Sequence, residues 1–419
     1  MKLPLTILLT ILFLKAYSQS QTKRALFIGN SYTYVNNLPQ AIADLALSVG
    51  DSLLFDSNTI GGYTLAQHST NATTLSKIAN GNWNFVVLQE QSQLPSFPIS
   101  QVLTDVFPFA RTLDSTIKIY NACVETMFYM TWGRKNGDAS NCSFWPPVCS
   151  YNGMDSLLNL RYRMLADSNQ SLLSPVGEVW NYIRLNYPLI DLYQSDESHP
   201  SVYGTYAAAC CFYTVIFRKD PTLITNDYGL SSLDASNIRN AAKVITFDSL
   251  MTWHIGEYDP LANFQFTQSS GRQVTFINNA INCDKYTWDF GDGDTSTNMN
   301  PIHTYNLDGN YIVTLLGNKC DKIDSTQQTI SINSTGLSIK NIQQNIAEIY
   351  PNPALTSLYL KTNEASSYRM INYIGEEMRR ELIFNSKQKI DIASLKGGIY
   401  ILQLFNKENY IGQIKFIKN

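Results

Sequence analysis

Ser31 stands two residues beyond Gly29, which ends the short apolar run Ala25-Leu26-Phe27-Ile28. The run reads as a strand, followed by a tight turn and a helix. The serine is then expected at the carboxyl edge of a sheet, where α/β sites gather. Helix N-terminal amides there can stabilise an anion. A serine hydroxyl is a poor nucleophile at neutral pH without a base within hydrogen-bond reach. The chain has only 4 histidines, His68, His199, His254 and His303. His199 lies in Asp196-Glu197-Ser198-His199-Pro200, just before an apolar helix starting near Tyr203. An aspartate three residues before a histidine can accept its Nδ1–H, fix the tautomer and favour the imidazolium. Ser31, His199 and Asp196 are therefore candidates for nucleophile, base and orienting acid in acyl transfer. A D-x-x-H in a loop, taken alone, is more often structural.

The elements that must position these residues alternate. Leu38 to Val49 has helical spacing, with Ile42, Leu45, Ala46 and Val49 on one stripe. Leu53 to Phe55, Phe85 to Leu88, Ile117 to Tyr120 and Thr126 to Met130 read as strands. Leu157 to Leu165 and Tyr203 to Phe217 read as helices, and Pro175 to Trp180 opens a further unit. Short apolar strands alternating with helices predict an α/β unit, a parallel sheet covered on both faces, over residues 23–258. Trp132-Gly133-Arg134, after the Thr126 strand, could border the cleft, since Trp and Arg suit sugar or carboxylate contacts. His68 reads first as a solvated or capping residue.

From Asp259 the pattern turns to β. Val274 to Ile277, Lys285 to Trp288 and Tyr311 to Leu316 are strands separated by Gly, Asp and Asn turns, a small sandwich over 259–335. A Ser/Asn/Gln-rich linker over 336–344 precedes a second β piece over 345–419, with Ser357 to Leu360, Tyr368 to Tyr373 and Gly398 to Leu404 as strands.

The 419 residues are 44% hydrophobic and 16% charged, enough apolar material for packed cores. Net charge is −3, from 31 basic and 34 acidic residues, so no basic excess exists to neutralise nucleic-acid phosphates. Lys2, the apolar run Leu3 to Leu14 and the small-x-small Ala16-Tyr17-Ser18 predict a cleaved secretory leader over residues 1–18. No later run is long enough to span a membrane. In an oxidising compartment the 7 cysteines should pair. Cys142 with Cys149 and Cys283 with Cys320 are the expected bridges. Cys123 and the vicinal Cys210-Cys211 are left over, so at least one thiol stays free or pairs elsewhere. None of the cysteines forms a CxxC metal pattern, and nothing points to a metal or organic cofactor.

Gly29-Asn30-Ser31-Tyr32-Thr33 resembles the first block of the SGNH (GDSL-like) hydrolase superfamily, with Asn30 where that block usually carries Asp. Ile60-Gly61-Gly62-Tyr63 resembles the second block, and Asp196-x-x-His199 the fifth. The resemblance implies an SGNH, flavodoxin-like three-layer sheet and a serine esterase. It assigns Ser31, Asp196 and His199 to catalysis, and the amides of Ser31 and Gly62, with Gly61 as alternate, to the oxyanion hole. The usual Gly-x-Asn of the third block is missing. Val86-Val87-Leu88-Gln89-Glu90-Gln91-Ser92 stands in its place, similar to a poorly characterised branch of the superfamily. Gln91, or Gln89, is the expected side-chain donor to the oxyanion, because Gln carries the amide of Asn on a longer stem.

Trp288-Asp289-Phe290-Gly291-Asp292-Gly293, His303-Thr304-Tyr305 and Gly309 to Leu315 resemble a PKD domain, an immunoglobulin-like sandwich. Asp289, Asp292 and Asp294 have the oxygen chemistry of a Ca²⁺ site, though turn chemistry explains them more simply. Ile349-Tyr350-Pro351-Asn352-Pro353-Ala354, Leu395 to Tyr400 and the basic end Lys415 to Asn419 resemble the C-terminal sorting domain of the type IX secretion system. That resemblance implies export, passage across an outer membrane with the secretion machinery as partner, and release or surface attachment. The expected activity is a secreted esterase removing acetyl or other short acyl groups from carbohydrates. A lipid or thioester hydrolase, and a non-catalytic glycan-binding protein on the same scaffold, are the alternatives.

Overall fold

The computed structural model describes residues 20–268, 271–333, 347–372, 376–407 and 409–419. The expected leader (1–18) and linker (336–344) lie outside the described residues.

β1 (Thr22–Gly29), β2 (Ser52–Thr59), β3 (Phe85–Leu88), β4 (Glu125–Tyr129) and β5 (Leu172–Ser174) form one sheet in the order β2-β1-β3-β4-β5. Every pair is parallel. Ala25 to Gly29 and all of β3 and β5 are buried. These strands read as continuous apolar runs because helices cover both faces. The helices are α1 (Ser31–Tyr34), α2 (Leu38–Leu47), α3 (Leu65–His68), α4 (Ala72–Ala79), α5 (Ile99–Asp105), α6 (Phe107–Tyr120), α7 (Tyr151–Asn169), α8 (Val176–Asn186), α9 (Val202–Phe217) and α10 (Ser232–Ile245). One group packs α2, α8 and α10 around α9, and a second packs α4 and α7 against α6. Apart from Val202 and Tyr203 at its start, α9 is buried on every side, which explains its unbroken apolar composition.

This strand order reverses direction between β1 and β3, the point where a crevice opens at the carboxyl ends of the strands. Ser31 follows β1 and Gln89 follows β3, so both sit at that crevice.

Ile117 to Tyr120 is not a strand. It is the last turn of α6, where Ala110, Leu113 and Ile117 form the buried stripe and Ile119 and Tyr120 face solvent. Four apolar residues in a row carry no period, so only the longer 3.6-residue pattern upstream could have assigned them.

Beyond residue 258, β6 (Phe264–Gln268), β7 (Gln273–Asn278) and β10 (Ile302–Thr304) form one antiparallel sheet. β8 (Lys285–Asp289), β9 (Thr295–Ser296), β11 (Gly309–Lys319) and β12 (Lys322–Ile332) form a second. Trp288 is fully buried, with Phe264 and Phe276 rings at 5.1 and 5.3 Å. Asp289 and Asp292 accept the amides of Gly291 and Asp294 at 2.9 and 3.1 Å, as turn residues do. His303 stacks on Phe290 and bonds Asp292 at 2.7 Å. The described residues of 347–419 form two further antiparallel sheets, of three and four strands, around a core that includes Leu358, Tyr368, Leu402 and Phe416.

The second disulfide differs from expectation. Cys142–Cys149 forms, but Cys320 pairs with Cys123, across 197 residues, and Cys283 is free. Cys320 occupies the tip of the β11–β12 hairpin with φ +56°, and the loop before β4 brings Cys123 to it. Cys283 instead lies opposite Gly317, three residues short of that tip, with its thiol on the Ile281 carbonyl. The same junction carries Lys322 Nζ at 2.6 Å from Asp259 and 2.8 Å from Glu125, with Arg218 also bonded to Asp259. Among the described residues no helix is long and apolar enough to cross a membrane.

Candidate active site

The turn that carries Ser31 is built by Asn30. Its Oδ1 caps α1 by accepting from the Tyr32 amide at 3.1 Å, its Nδ2 donates to the Tyr63 carbonyl at 2.9 Å, and its own amide donates to Gln89 Oε1 at 2.8 Å. A Cβ on Gly29 would come within 2.6 Å of Gln89 Oε1 and 2.7 Å of Thr33 Oγ1, so glycine is required there. The Gly29 carbonyl accepts from the Ile60 amide at 3.2 Å and from His68 Nε2 at 2.8 Å. His68 is therefore not a solvated residue. It is fully buried, its Nδ1 accepts from Thr74 Oγ1 at 2.9 Å, and burial lowers its pKa, which keeps the ring neutral. That two-sided clamp fixes its tautomer and fastens the end of β1 to α4.

His199 arrives on the loop before α9. His199 Nε2 lies 2.8 Å from Ser31 Oγ. Its Nδ1 bonds Asp196 Oδ2, while Asp196 Oδ1 accepts the amides of His199 at 2.9 Å and Ser198 at 3.1 Å. An ionised carboxylate only accepts, so Nδ1 carries the proton and Nε2 is free to receive the serine hydrogen. Partial burial opposes ionisation of Asp196, but the bonds from the His199 ring and the two amides outweigh it and hold the pKa below the usual range.

An aromatic column holds this loop in place. Tyr32 stacks on Trp132 at 4.8 Å, Trp132 stacks on Trp180 at 3.6 Å, and Tyr193 meets Trp180 edge-on at 5.0 Å. Trp132 Nε1 donates to the Ser198 carbonyl at 3.1 Å, and Tyr32 Oη and Ser198 Oγ share a hydrogen bond of 2.6 Å. The Tyr32 ring also meets the His199 ring edge-on at 5.4 Å. Trp132, read from sequence as a cleft-bordering residue, is instead fully buried as part of this support.

The oxyanion candidates fare differently. Ile60 to Tyr63 forms a turn closed by a 3.1 Å bond, with Gly62 at φ +72°. The amides of Ser31 and Gly62 make no hydrogen bond among the described residues. Gln89 is a correction. It is fully buried, and its Nε2 donates to Asn30 Oδ1 at 2.9 Å and to the Glu90 carbonyl, so both hydrogens are already used inside the protein. Gln91 is half-buried, its Oε1 accepts from the Gln93 and Leu94 amides, and its Nε2 donates to Gln93 Oε1 at 3.0 Å and, more weakly, to Ser92 Oγ at 3.5 Å.

Two residues between and beyond these glutamines were missed. Glu90 is fully buried and accepts from the Leu65 amide at 3.2 Å and the Gln91 amide at 2.6 Å, which ties α3 to the end of β3. Burial raises its pKa to about 8 against those two bonds. Asp138 is also fully buried, and accepts from Gln93 at 2.7 Å, Asn141 at 2.6 Å and Arg134 at 3.2 Å. Charged residues in loop sequence normally imply solvent, so only the topology could have shown that these two turn inward.

Residues 259–333 match the family model of the PKD domain, and residues 348–419 match that of the secretion system C-terminal sorting domain. Both downstream resemblances hold. A 31-residue stretch is 58% identical to Collagenase ColQ1 of Bacillus cereus (strain Q1), spanning 7% of this chain and 3% of that protein. Among solved structures, a DUF4886 family protein from Bacteroides uniformis is 17% identical, covering 54% of this chain and 95% of its own, with a TM-score of 0.48. A candidate SGNH hydrolase from Slackia heliotrinireducens is 26% identical over 46% of this chain and 97% of its own, at a TM-score of 0.39. An acetyl xylan esterase from Geobacillus stearothermophilus is 16% identical over 46% of this chain and 94% of its own, at 0.31.

Proposed function

We propose that the chain is a serine ester hydrolase of the SGNH type, exported through a cleaved leader and the type IX sorting tail, that removes short acyl groups, acetyl first, from carbohydrates. One observation carries the reading: Ser31 Oγ lies 2.8 Å from His199 Nε2, while the opposite ring nitrogen is bonded to Asp196. That is the arrangement a serine needs to lose its proton as it attacks.

His199 takes the Ser31 proton as Oγ adds to the ester carbonyl, and Asp196 stabilises the imidazolium. The amides of Ser31 and Gly62 and the Gln91 side chain are the proposed donors to the oxyanion, each worth about 3 kcal/mol in the transition state. Gln91 must trade one of its bonds, to Ser92 Oγ at 3.5 Å or to Gln93 Oε1 at 3.0 Å, for the oxyanion. The imidazolium then protonates the leaving alcohol, and water, activated by His199, releases the acid and restores Ser31. The preference for sugars rests on the accompanying PKD segment and on the resemblance stated from sequence. The sorting-domain match over residues 348–419 supports export.

Acetate-release screening over acetylated polysaccharides, with Ser31→Ala as control, tests the proposal. Release by the wild type and none by the variant is expected. Binding of these glycans without hydrolysis of any ester would replace it with a non-catalytic role.

A further inference from the structure

Tyr34 stands one helical turn beyond Ser31. In α1 the Thr33 and Tyr34 amides donate to the Asn30 carbonyl at 2.9 and 3.1 Å, and the Val35 amide donates to the Ser31 carbonyl. Side chains three apart on such a turn are neighbours, about 5–6 Å between Cβ atoms. Tyr32 and Thr33 turn into the protein and are buried, which leaves Ser31 and Tyr34 together on the crevice side of the turn.

Gly61 locates the far end of the Tyr34 ring, since a Cβ there would come within 3.3 Å of Tyr34 Oη. The ring therefore runs from the helix of Ser31 to the Gly61-Gly62 turn, the two elements whose amides are the proposed oxyanion donors. Gly61 and Gly62 are exposed, and a Cβ on Gly62 would meet nothing within 4 Å, so the turn is open to an incoming molecule.

The neighbouring tyrosine shows what Tyr34 lacks. Tyr32 is buried, stacks on Trp132 and hydrogen-bonds Ser198. Tyr34 keeps 48% of its surface exposed, and among the described residues its ring stacks on no other ring and its Oη has no hydrogen-bond partner. A tyrosine offers an apolar face with a hydroxyl at its edge. A pyranose presents the complement of both, a face of C–H bonds rimmed by hydroxyls. An acyl chain needs an enclosed apolar slot. A ring half in solvent does not enclose one, so it suits the alcohol half of the ester.

We infer that Tyr34 is the sugar platform of the site: the pyranose carrying the acyl ester stacks on its ring and hydrogen-bonds its hydroxyl, while the ester carbonyl lies between Ser31 and the Gly62 amide. This rests on the esterase reading above and adds the residue that recognises the alcohol. The stack and the hydrogen bond together are expected to give roughly 10-fold in binding.

The test measures kcat and KM on O-acetylated xylo-oligosaccharides, ethyl acetate and ethyl hexanoate, and inhibition by the deacetylated oligosaccharide, in wild type, Tyr34→Phe and Tyr34→Ala. Alkyl esters are the references because a p-nitrophenyl ring would itself stack on Tyr34. Tyr34→Ala should lower the ratio of kcat/KM on the glycan ester to that on ethyl acetate about 10-fold, chiefly through KM. It should weaken the deacetylated inhibitor by the same factor. Tyr34→Phe, which keeps the stack and loses the hydroxyl, should fall between. An unchanged ratio, including equal losses on both esters from a disturbed turn, would overturn the inference. So would a gain on ethyl hexanoate over ethyl acetate, with the glycan ratio unmoved, because Tyr34 would then wall the acyl group. Wild-type turnover of ethyl acetate with none of the glycan ester would overturn it as well. If the wild type hydrolyses no ester, the esterase reading fails first; hydrolysis of the glycan ester that is indifferent to Tyr34 sinks only the platform.

Discussion

Replacing Gln89 and Gln91 one at a time by Met separates holding the nucleophile turn from stabilising the oxyanion. Gln89→Met removes the acceptor of the Asn30 amide at 2.8 Å and of Thr33 Oγ1 at 3.0 Å, and the donor to Asn30 Oδ1 at 2.9 Å, all inside the protein. The Asn30 amide is then buried without a partner, at about 1–3 kcal/mol, and the remaining lost bonds add roughly 1 kcal/mol each. A total of roughly 3–5 kcal/mol lowers the first unfolding transition by roughly 6–20 °C for a unit of this size. Gln91→Met disturbs only half-buried loop contacts, so its unfolding transition should move by no more than about 2 °C. In turnover the order reverses, with Gln91→Met losing about 10²-fold or more in kcat, as expected for one oxyanion donor. Calorimetry and p-nitrophenyl acetate hydrolysis on the same preparations decide it. A Gln89→Met protein as stable as wild type but 10²-fold slower would show that the donor had been assigned to the wrong glutamine.

Further outcomes follow from the same geometry. Asp196→Asn should fold normally, because the side chain is nearly half exposed, and lose roughly 10²–10⁴-fold in kcat as His199 takes the wrong tautomer; steady-state kinetics checks this. Glu90 has a folded pKa of about 8, above its unfolded value of 4.5, so the folded state holds the proton more tightly. Its contribution is fully present below pH 4.5 and is lost as pH rises through about 8, and Glu90→Gln should flatten that part of the stability profile in denaturant titrations. His68→Leu should destabilise the first unit by about 2 kcal/mol, since the Gly29 carbonyl and Thr74 hydroxyl lose their buried partner, with thermal unfolding as the readout. Peptide mapping without reduction should recover Cys123 joined to Cys320 and Cys142 joined to Cys149, with Cys283 open to alkylation once the chain is denatured.

Much of the fold was legible because the strands around Ser31 are buried on both faces and therefore uniformly apolar, and because α2 and α9 show their packing in their composition. The separation of Ser31 from His199 by 168 residues is bridged by topology alone, and only the block resemblance anticipated it. Donors are harder to read. Gln89 and Gln91 have the same side chain two residues apart, and a strand's period of two would put both on one face, yet past the end of β3 at Leu88 one reaches Asn30 and the other lies among loop amides. Glu90 and Asp138 were invisible for a related reason, since a buried carboxylate is recognised by the donors that surround it, and these come from distant loops. The disulfide was misassigned because sequence proximity favoured Cys283, whereas a hairpin tip projects away from its own sheet toward another unit.

The central claim is that Ser31 is the nucleophile, activated by His199. A fluorophosphonate probe followed by peptide mass spectrometry tests it most directly. The adduct should map to Ser31 and disappear when His199 is replaced by Ala. Labelling at another residue, or undiminished labelling of Ser31 without His199, would contradict the account.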